Sequence, residues 1–147
     1  MDIIQFINKL KSLVDFSKEK TDEIMMNELK PEIEDMNTFQ LSKGMYSTGT
    51  FLDNYSEVSV VMYGKPDGPI RLYDTGEFYR SIELQKINKN VFELFSNPSI
   101  SEKYLDPPAN LKQMYGPDVL GLTNKNEEIT GEELTDLLRN EIEKYLG

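Results

Sequence analysis

Asp74-Thr75-Gly76 is the stretch of this chain whose residue types come closest to performing a reaction. Aspartic proteases carry Asp-Thr-Gly behind apolar residues, and here Leu72 and Tyr73 supply that lead. The chemistry needs two carboxylates sharing one proton, so a single copy of the motif works only in a dimer. Val119-Leu120-Gly121 imitates the later apolar-apolar-Gly element of the retroviral version. Glu77 argues against it. The position after the glycine is normally small because it packs beside the paired loops, and a bulky charge there crowds a site already rich in carboxylates. The competing reading is a helix cap, with Asp74 or Thr75 receiving the first amides of a short helix that runs through Ser81.

The other chemistries fall away on composition. The chain has no cysteine and no histidine. Disulfides, thiolate zinc sites, thiol nucleophiles, Ser-His-Asp catalysis and imidazole proton shuttling are therefore excluded. Acid pairs such as Glu34/Asp35 and Glu127/Glu128 read as solvated faces, and no Asp-x-Asp-x-Asp-Gly calcium loop is present. Gly64 to Gly68 is too short for a phosphate loop and lacks its Lys-Ser/Thr ending. Lys43, Lys65, Arg71 and Arg80 lie in the central region and read as scattered surface charge. No catalytic residue, metal ligand or cofactor site is expected.

The elements that must position these residues form one domain of 147 residues. The net charge is −10, with residues 1–36 and 125–147 each carrying −4 and the centre −2. Such a surface repels nucleic acid. No apolar run approaches the roughly 20 residues of a membrane span. Met1 to Phe16 lacks the basic start and solid apolar core of a signal peptide. The chemistry of the chain suits a reducing cytoplasm or something assembled there.

Ile3, Phe6, Ile7, Leu10, Leu13 and Val14 recur at three- and four-residue steps and predict an amphipathic helix, with Asp2 at its cap or first turn. The polar stretch Ser17 to Asp22 should break or cap it. A second helix is expected from Thr21 to Leu29, ended or kinked by Pro31. Residues 1–30 are thus read as a helical arm, and 31–147 as an α+β domain. Asn37 to Lys43 forms a short element, with Asn37 as its N-cap and Gly44 as its C′ residue. Ser47-Thr48-Gly49 is a turn. Val58 to Tyr63, β-branched and aromatic, is the strongest strand candidate. The dense turn cluster Gly64 to Pro69 leads to a short extended piece, Ile70 to Tyr73. Phe78 and Ile82 face inward. Leu84 to Phe95 is a hairpin around Asn88-Lys89-Asn90, with Asn90 left-handed, and Asn97-Pro98 stops its second strand. Ser99 to Asn126 is irregular. Thr130-Gly-Glu-Glu133 reads as a capping box opening a last helix whose apolar face is Leu134, Leu137, Leu138, Ile142, Tyr145 and Leu146. The fold class is α+β: N-terminal helices, a small antiparallel sheet interrupted by short helices, and a closing C-terminal helix. The apolar stripe is broad for a helix at a chain end, and it is the candidate subunit interface.

Asp74-Thr-Gly-Glu-Phe-Tyr-Arg-Ser-Ile82 resembles the Thr-Gly-x-aromatic/Leu-x-x-Ser-Ile signature of tailed-phage tail-completion and virion-morphogenesis proteins. The residues that carry the likeness are Asn37, Gln40, Leu41, Gly44, Gly49, Tyr55, Asp74, Thr75, Gly76, Phe78 and Ser81. Ser47, Thr48, Ser56, Lys65, Gly68, Tyr115-Gly116 and Leu120-Gly-Leu-Thr123 extend it. In order and spacing they resemble a pattern from phages and prophages of gut Bacteroidetes, including the crAss-like group, over roughly residues 33–147. The resemblance implies a structural subunit of a ring at the head–tail junction or tail top, bridging portal-side and tail-side proteins. It implies no reaction, no cofactor and no membrane. The partners would be further copies of the chain and other neck, portal or tail proteins, with DNA passing through unbound. The protein would reside in the virion, and in the host cytoplasm during assembly. The alternatives from the residues themselves are a non-catalytic protein-binding module and a dimeric aspartic protease using Asp74.

Overall fold

The computed structural model describes residues 2–73, 76–96 and 111–147. Its elements are α1 (Ile3–Ile24), a π-helical turn (Met25–Leu29), α2 (Lys30–Ser42), α3 (Glu57–Tyr63), α4 (Glu77–Ser81), β1 (Glu83–Asn88), β2 (Val91–Phe95), α5 (Leu111–Tyr115), a 3₁₀ turn (Pro117–Val119) and α6 (Asn124–Leu146). The class is α+β, and the sheet among the described residues is a two-stranded antiparallel hairpin.

Asp2 caps α1 reciprocally with Gln5: the Gln5 amide donates to Asp2 Oδ1, and the Asp2 amide donates to Gln5 Oε1. The expected break at Ser17 to Asp22 does not occur, and the separate helix from Thr21 to Leu29 does not exist. Ser17 Oγ and Thr21 Oγ1 donate to the carbonyls of Leu13 and Ser17, at 2.8 Å each, so their polarity is absorbed within the helix. Pro31 does not end the helical run either. The wide π turn comes just before it, and Pro31 falls in the first turn of α2, so the missing amide coincides with the change from π to α geometry.

Three more expectations are overturned. Asn37 is no N-cap; it sits inside α2 and is fully buried. Val58 to Tyr63 is not a strand but α3. Ser56 Oγ accepts the Ser59 amide at its start, and left-handed Gly64 closes it, so the two caps outweigh β propensity where no partner strand occurs among the described residues. Thr130 does not open the last helix. Thr123 is the N-cap of α6, and Thr130 is buried within it, donating to Met36 Sδ.

Other expectations hold. Gly44 follows α2 in the left-handed region. Asn90 has φ 58° at the hairpin turn, where a bulge lies between Lys86 and Asn88. Phe78 and Ile82 are buried. The expected caps Asp74 and Thr75 and the strand stop at Asn97-Pro98 lie outside the described residues, as does the stretch from Ser99 to Asn110. The residue that leads into α4 is Gly76, at φ 83°.

The core joins Ile24, Leu29, Ile33 and Leu41 of the long helical run to Leu52, Leu72, Phe78, Ile82, Leu84, Leu94, Leu111, Val119 and Leu120. α6 covers it with Leu134, Leu137 and Leu138. It runs antiparallel to the first helical run: Thr130 meets Met36 near one end, and Tyr145 stacks on Phe16 at 4.1 Å near the other. Asp22 ties α1 to the hairpin, bonding Lys86 Nζ at 2.8 Å and the Asn90 amide at 2.9 Å. Since Ile24 and Leu29 are core residues, the arm proper is shorter than residues 1–30.

Gly44 and Gly49 test this account. Both have positive φ, but a Cβ on Gly44 would collide with Pro69 Cβ, whereas Gly49 has nothing within 4 Å. Gly49→Ala should cost about 1 kcal/mol from backbone strain. Gly44→Ala should cost about 2–4 kcal/mol, with overpacking added. Urea denaturation of the two variants measures the difference.

Candidate assembly site

α2 carries two side-chain amides on one face, Asn37 and Gln40. Asn37 Nδ2 donates to the Val119 carbonyl and Asn37 Oδ1 accepts the Gly121 amide, both at 3.0 Å. Gln40 Nε2 donates to the Gly121 carbonyl, and Gln40 Oε1 accepts the Thr123 amide, both at 2.9 Å. Asn126 Nδ2 reaches the same Gln40 oxygen at 2.7 Å. The two amides therefore satisfy the loop Val119–Thr123 at alternate residues, as a neighbouring β-strand would satisfy a strand. Thr123, held in this way, caps α6 through its hydroxyl. Among the described residues no buried side-chain polar atom lacks a partner.

The structure thus joins separate pieces of the sequence pattern. Gln40 lies next to Leu41 of the core and binds both Gly121 and Thr123. Ser47 donates its amide to the Asp118 carbonyl, and Leu52 donates to Gly44, bringing the Gly49 turn onto the same loop. Tyr55 and Tyr79 grip a single residue: the Tyr55 hydroxyl accepts the Arg71 amide and the Tyr79 hydroxyl donates to the Arg71 carbonyl. Burial raises the Tyr79 pKa above the ordinary phenol value. Together with Ser42, Pro66 and Tyr73, these residues line a cleft of about 310 Å³. Phe78 anchors α4, and Ser81 Oγ donates to the Phe78 carbonyl. The motif residues that are described act through packing, turns and backbone bonds. Sequence reasoning missed Asn126 and the bracing role of Asn37.

Of the cations Lys43, Lys65, Arg71 and Arg80, Lys65 has its Nζ 5.7 Å from the Tyr55 ring centroid, while Arg71 meets the Tyr55 hydroxyl through its backbone amide. Lys43 lies over Phe39. Arg80 lines a different cleft with Lys30, Glu34 and Glu83. Val119-Leu120-Gly121 is held against α2. No group of three or more metal-ligating residues occurs among the described residues, and no helix there is long and apolar enough to cross a membrane.

The stripe on α1 divides in two. From Phe16 onward the helix packs on α6 and the hairpin. Before that point α1 extends past the end of α6, and its apolar side chains face solvent. Ile3 is 73% exposed and Val14 49%, with Phe6, Ile7 and Leu10 between them also exposed. Leu13 alone of the stripe is half-buried. Leu146, at the end of α6, adds another exposed apolar side chain.

Two carboxylates tune how the helices meet. Partial burial pushes the Asp22 carboxyl up, but its bonds to Lys86 and Asn90 together outweigh that and hold it below its ordinary value. Its stabilisation is present at neutral pH and is lost as pH falls through the depressed value. Glu133 on α6 is the opposite case. A hydrogen bond shared with Glu32 on α2, aided by burial and by charge repulsion, raises its pKa above 4.5. Its contact favours the protonated form and weakens as pH rises through the raised value.

No family model, no curated protein and no solved structure matches the chain.

Asn37→Ala should destabilise the protein by about 2–5 kcal/mol, because it strands the buried Val119 carbonyl and Gly121 amide. Thr123→Ala, which removes one exposed-end cap, should cost about 1 kcal/mol. Chemical denaturation followed by circular dichroism measures both.

Proposed function

We propose that this protein is a non-catalytic structural subunit that assembles with copies of itself into a ring. By the resemblance of residues 33–147, the ring stands at the head–tail junction or tail top of a tailed phage, between portal-side and tail-side proteins. One observation carries the reading. The body is braced internally, with the buried polar side chains among the described residues satisfied, while a helix projects from it with six large apolar side chains in water. An exposed apolar stripe of that kind marks an interaction surface.

The sequence pattern supports the same reading. Its pieces meet in the Asn37/Gln40 brace and the Arg71 grip, which are structural uses of the motif. The net charge of −10 suits a wall past which DNA slides, since phosphates are repelled from it. The virion is the corresponding location, reached through the host cytoplasm.

The test is the double variant Phe6→Asp, Leu10→Asp. Each side chain contributes about 1.5–3 kcal/mol when fully buried, so association should weaken by about 3–6 kcal/mol. The thermal melt of the isolated subunit should stay unchanged. Circular dichroism reads the melt, and electron microscopy reads ring or particle assembly. A destabilised subunit would place the stripe in its own core. Normal assembly with a normal melt would remove the arm from the assembly surface.

A further inference from the structure

We infer that the α1 arm of one copy docks on α3 of the next, head to tail. This rests on the reading of the chain as a self-assembling subunit and names the surface that receives the arm.

Residues 3–14 form about 18 Å of helix at 1.5 Å per residue. Lys9 and Lys11 are the only charged residues in that span, on a protein whose net charge is −10. The arm is thus an apolar rod with two lysines along its middle and one aspartate at each end, Asp2 and Asp15, on an acidic body. A matching seat must be apolar and acidic.

α3 has both properties. It is capped at each end, by Ser56 and Gly64, and none of its residues is buried. Val61 is 80% exposed, with Val58 and Met62 exposed beside it. The segment that carries it also presents the exposed acids Asp53, Glu57 and Asp67. The base in this segment, Lys65, lies over the Tyr55 ring and bonds the Tyr73 carbonyl. Two helices with apolar faces in water, one with lysines along its middle and the other flanked by acids, are complementary in the two respects that matter for docking.

Pairing of one arm with another is the poorer solution. Antiparallel arms would set Lys9 and Lys11 against the same lysines, with no acid between Asp2 and Asp15 to offset them. An arm on an α3 seat is a heterologous contact, which closes into a ring when the rotation per subunit permits.

The experiment uses two variants of the full chain. Phe6→Asp, Leu10→Asp spoils the arm and leaves the seat. Val61→Lys, Met62→Lys spoils the seat and leaves the arm, and both side chains are exposed, so the fold should survive. Sedimentation velocity over a concentration series should show the unaltered protein growing beyond monomer. Each variant alone should remain monomeric, with its thermal melt unshifted. An equimolar mixture of the two should form dimers and nothing larger, because one good arm and one good seat remain in each pair. That complementation also shows that each variant retains a folded docking face. The inference is overturned if the seat variant associates as the unaltered protein does, or if the mixture stays monomeric. It is also overturned if the unaltered protein is monomeric throughout. If such a monomer still enters phage particles, the structural role survives and only the seat is wrong; if it enters none, both readings fail.

Discussion

Two side-chain amides on α2 determine where most of the remaining chain can go. Asn37 and Gln40 lie one helical turn apart and present donors and acceptors to alternate residues of Val119–Thr123. A buried backbone segment without a sheet partner would leave its amides and carbonyls unsatisfied, at about 1–3 kcal/mol each. Here the helix takes the place of the missing strand. The bonds also fix Thr123, which caps α6, so the position of the closing helix is decided from the middle of α2. α6 then meets α1 through Tyr145 and Phe16. The core of leucines and isoleucines supplies the bulk of the folding free energy, but it is less directional. The brace selects one arrangement of α2, the loop and α6.

The same arrangement decides what is left over. α6 ends near Phe16, so among the described residues the first half of α1 has no helix beside it, and its apolar side chains are exposed. α3 is held by caps and turn residues, with its side chains outward. Among the described residues the buried polar side chains are satisfied, while two apolar helix faces remain exposed, and the proposed assembly would cover those faces. In the proposed assembly, charge would give such contacts a direction, since Lys9 and Lys11 lie along the projecting helix of a body that is acidic.

How much could be read from the sequence follows from how local each signal is. The hairpin with left-handed Asn90, the buried Phe78 and Ile82, and Gly44 after a helix all rest on neighbours within a few residues. Each is found where the spacing put it. Val58 to Tyr63 failed because strand propensity reports a half-buried pleated surface, and among the described residues no strand pairs with it. Ser17 and Thr21 looked like a break because their back-bonding to the helix is invisible in composition. Thr130 imitated a capping box seven residues inside a helix already capped by Thr123. Asn37 was the most informative miss. Its partner, Val119, lies 82 residues away, and no local pattern distinguishes a capping asparagine from one that braces a distant loop. The apolar stripe of α1 was fully legible by period, but not its division into a packed half and an exposed half, which depends on where α6 stops.

The central claim is that residues 3–14 belong to the assembly and not to the fold of the single subunit. Native-state hydrogen exchange tests it most directly, because it reads the opening of each helical turn separately. In the isolated subunit, amides of Phe6 to Val14 should exchange at least tenfold faster than those of Ile33 to Leu41, and in the assembled state they should slow markedly while the α2 amides change little. Equal and strong protection of both segments in the isolated subunit would contradict the account, as would an assembled state in which the arm remains as fast as before.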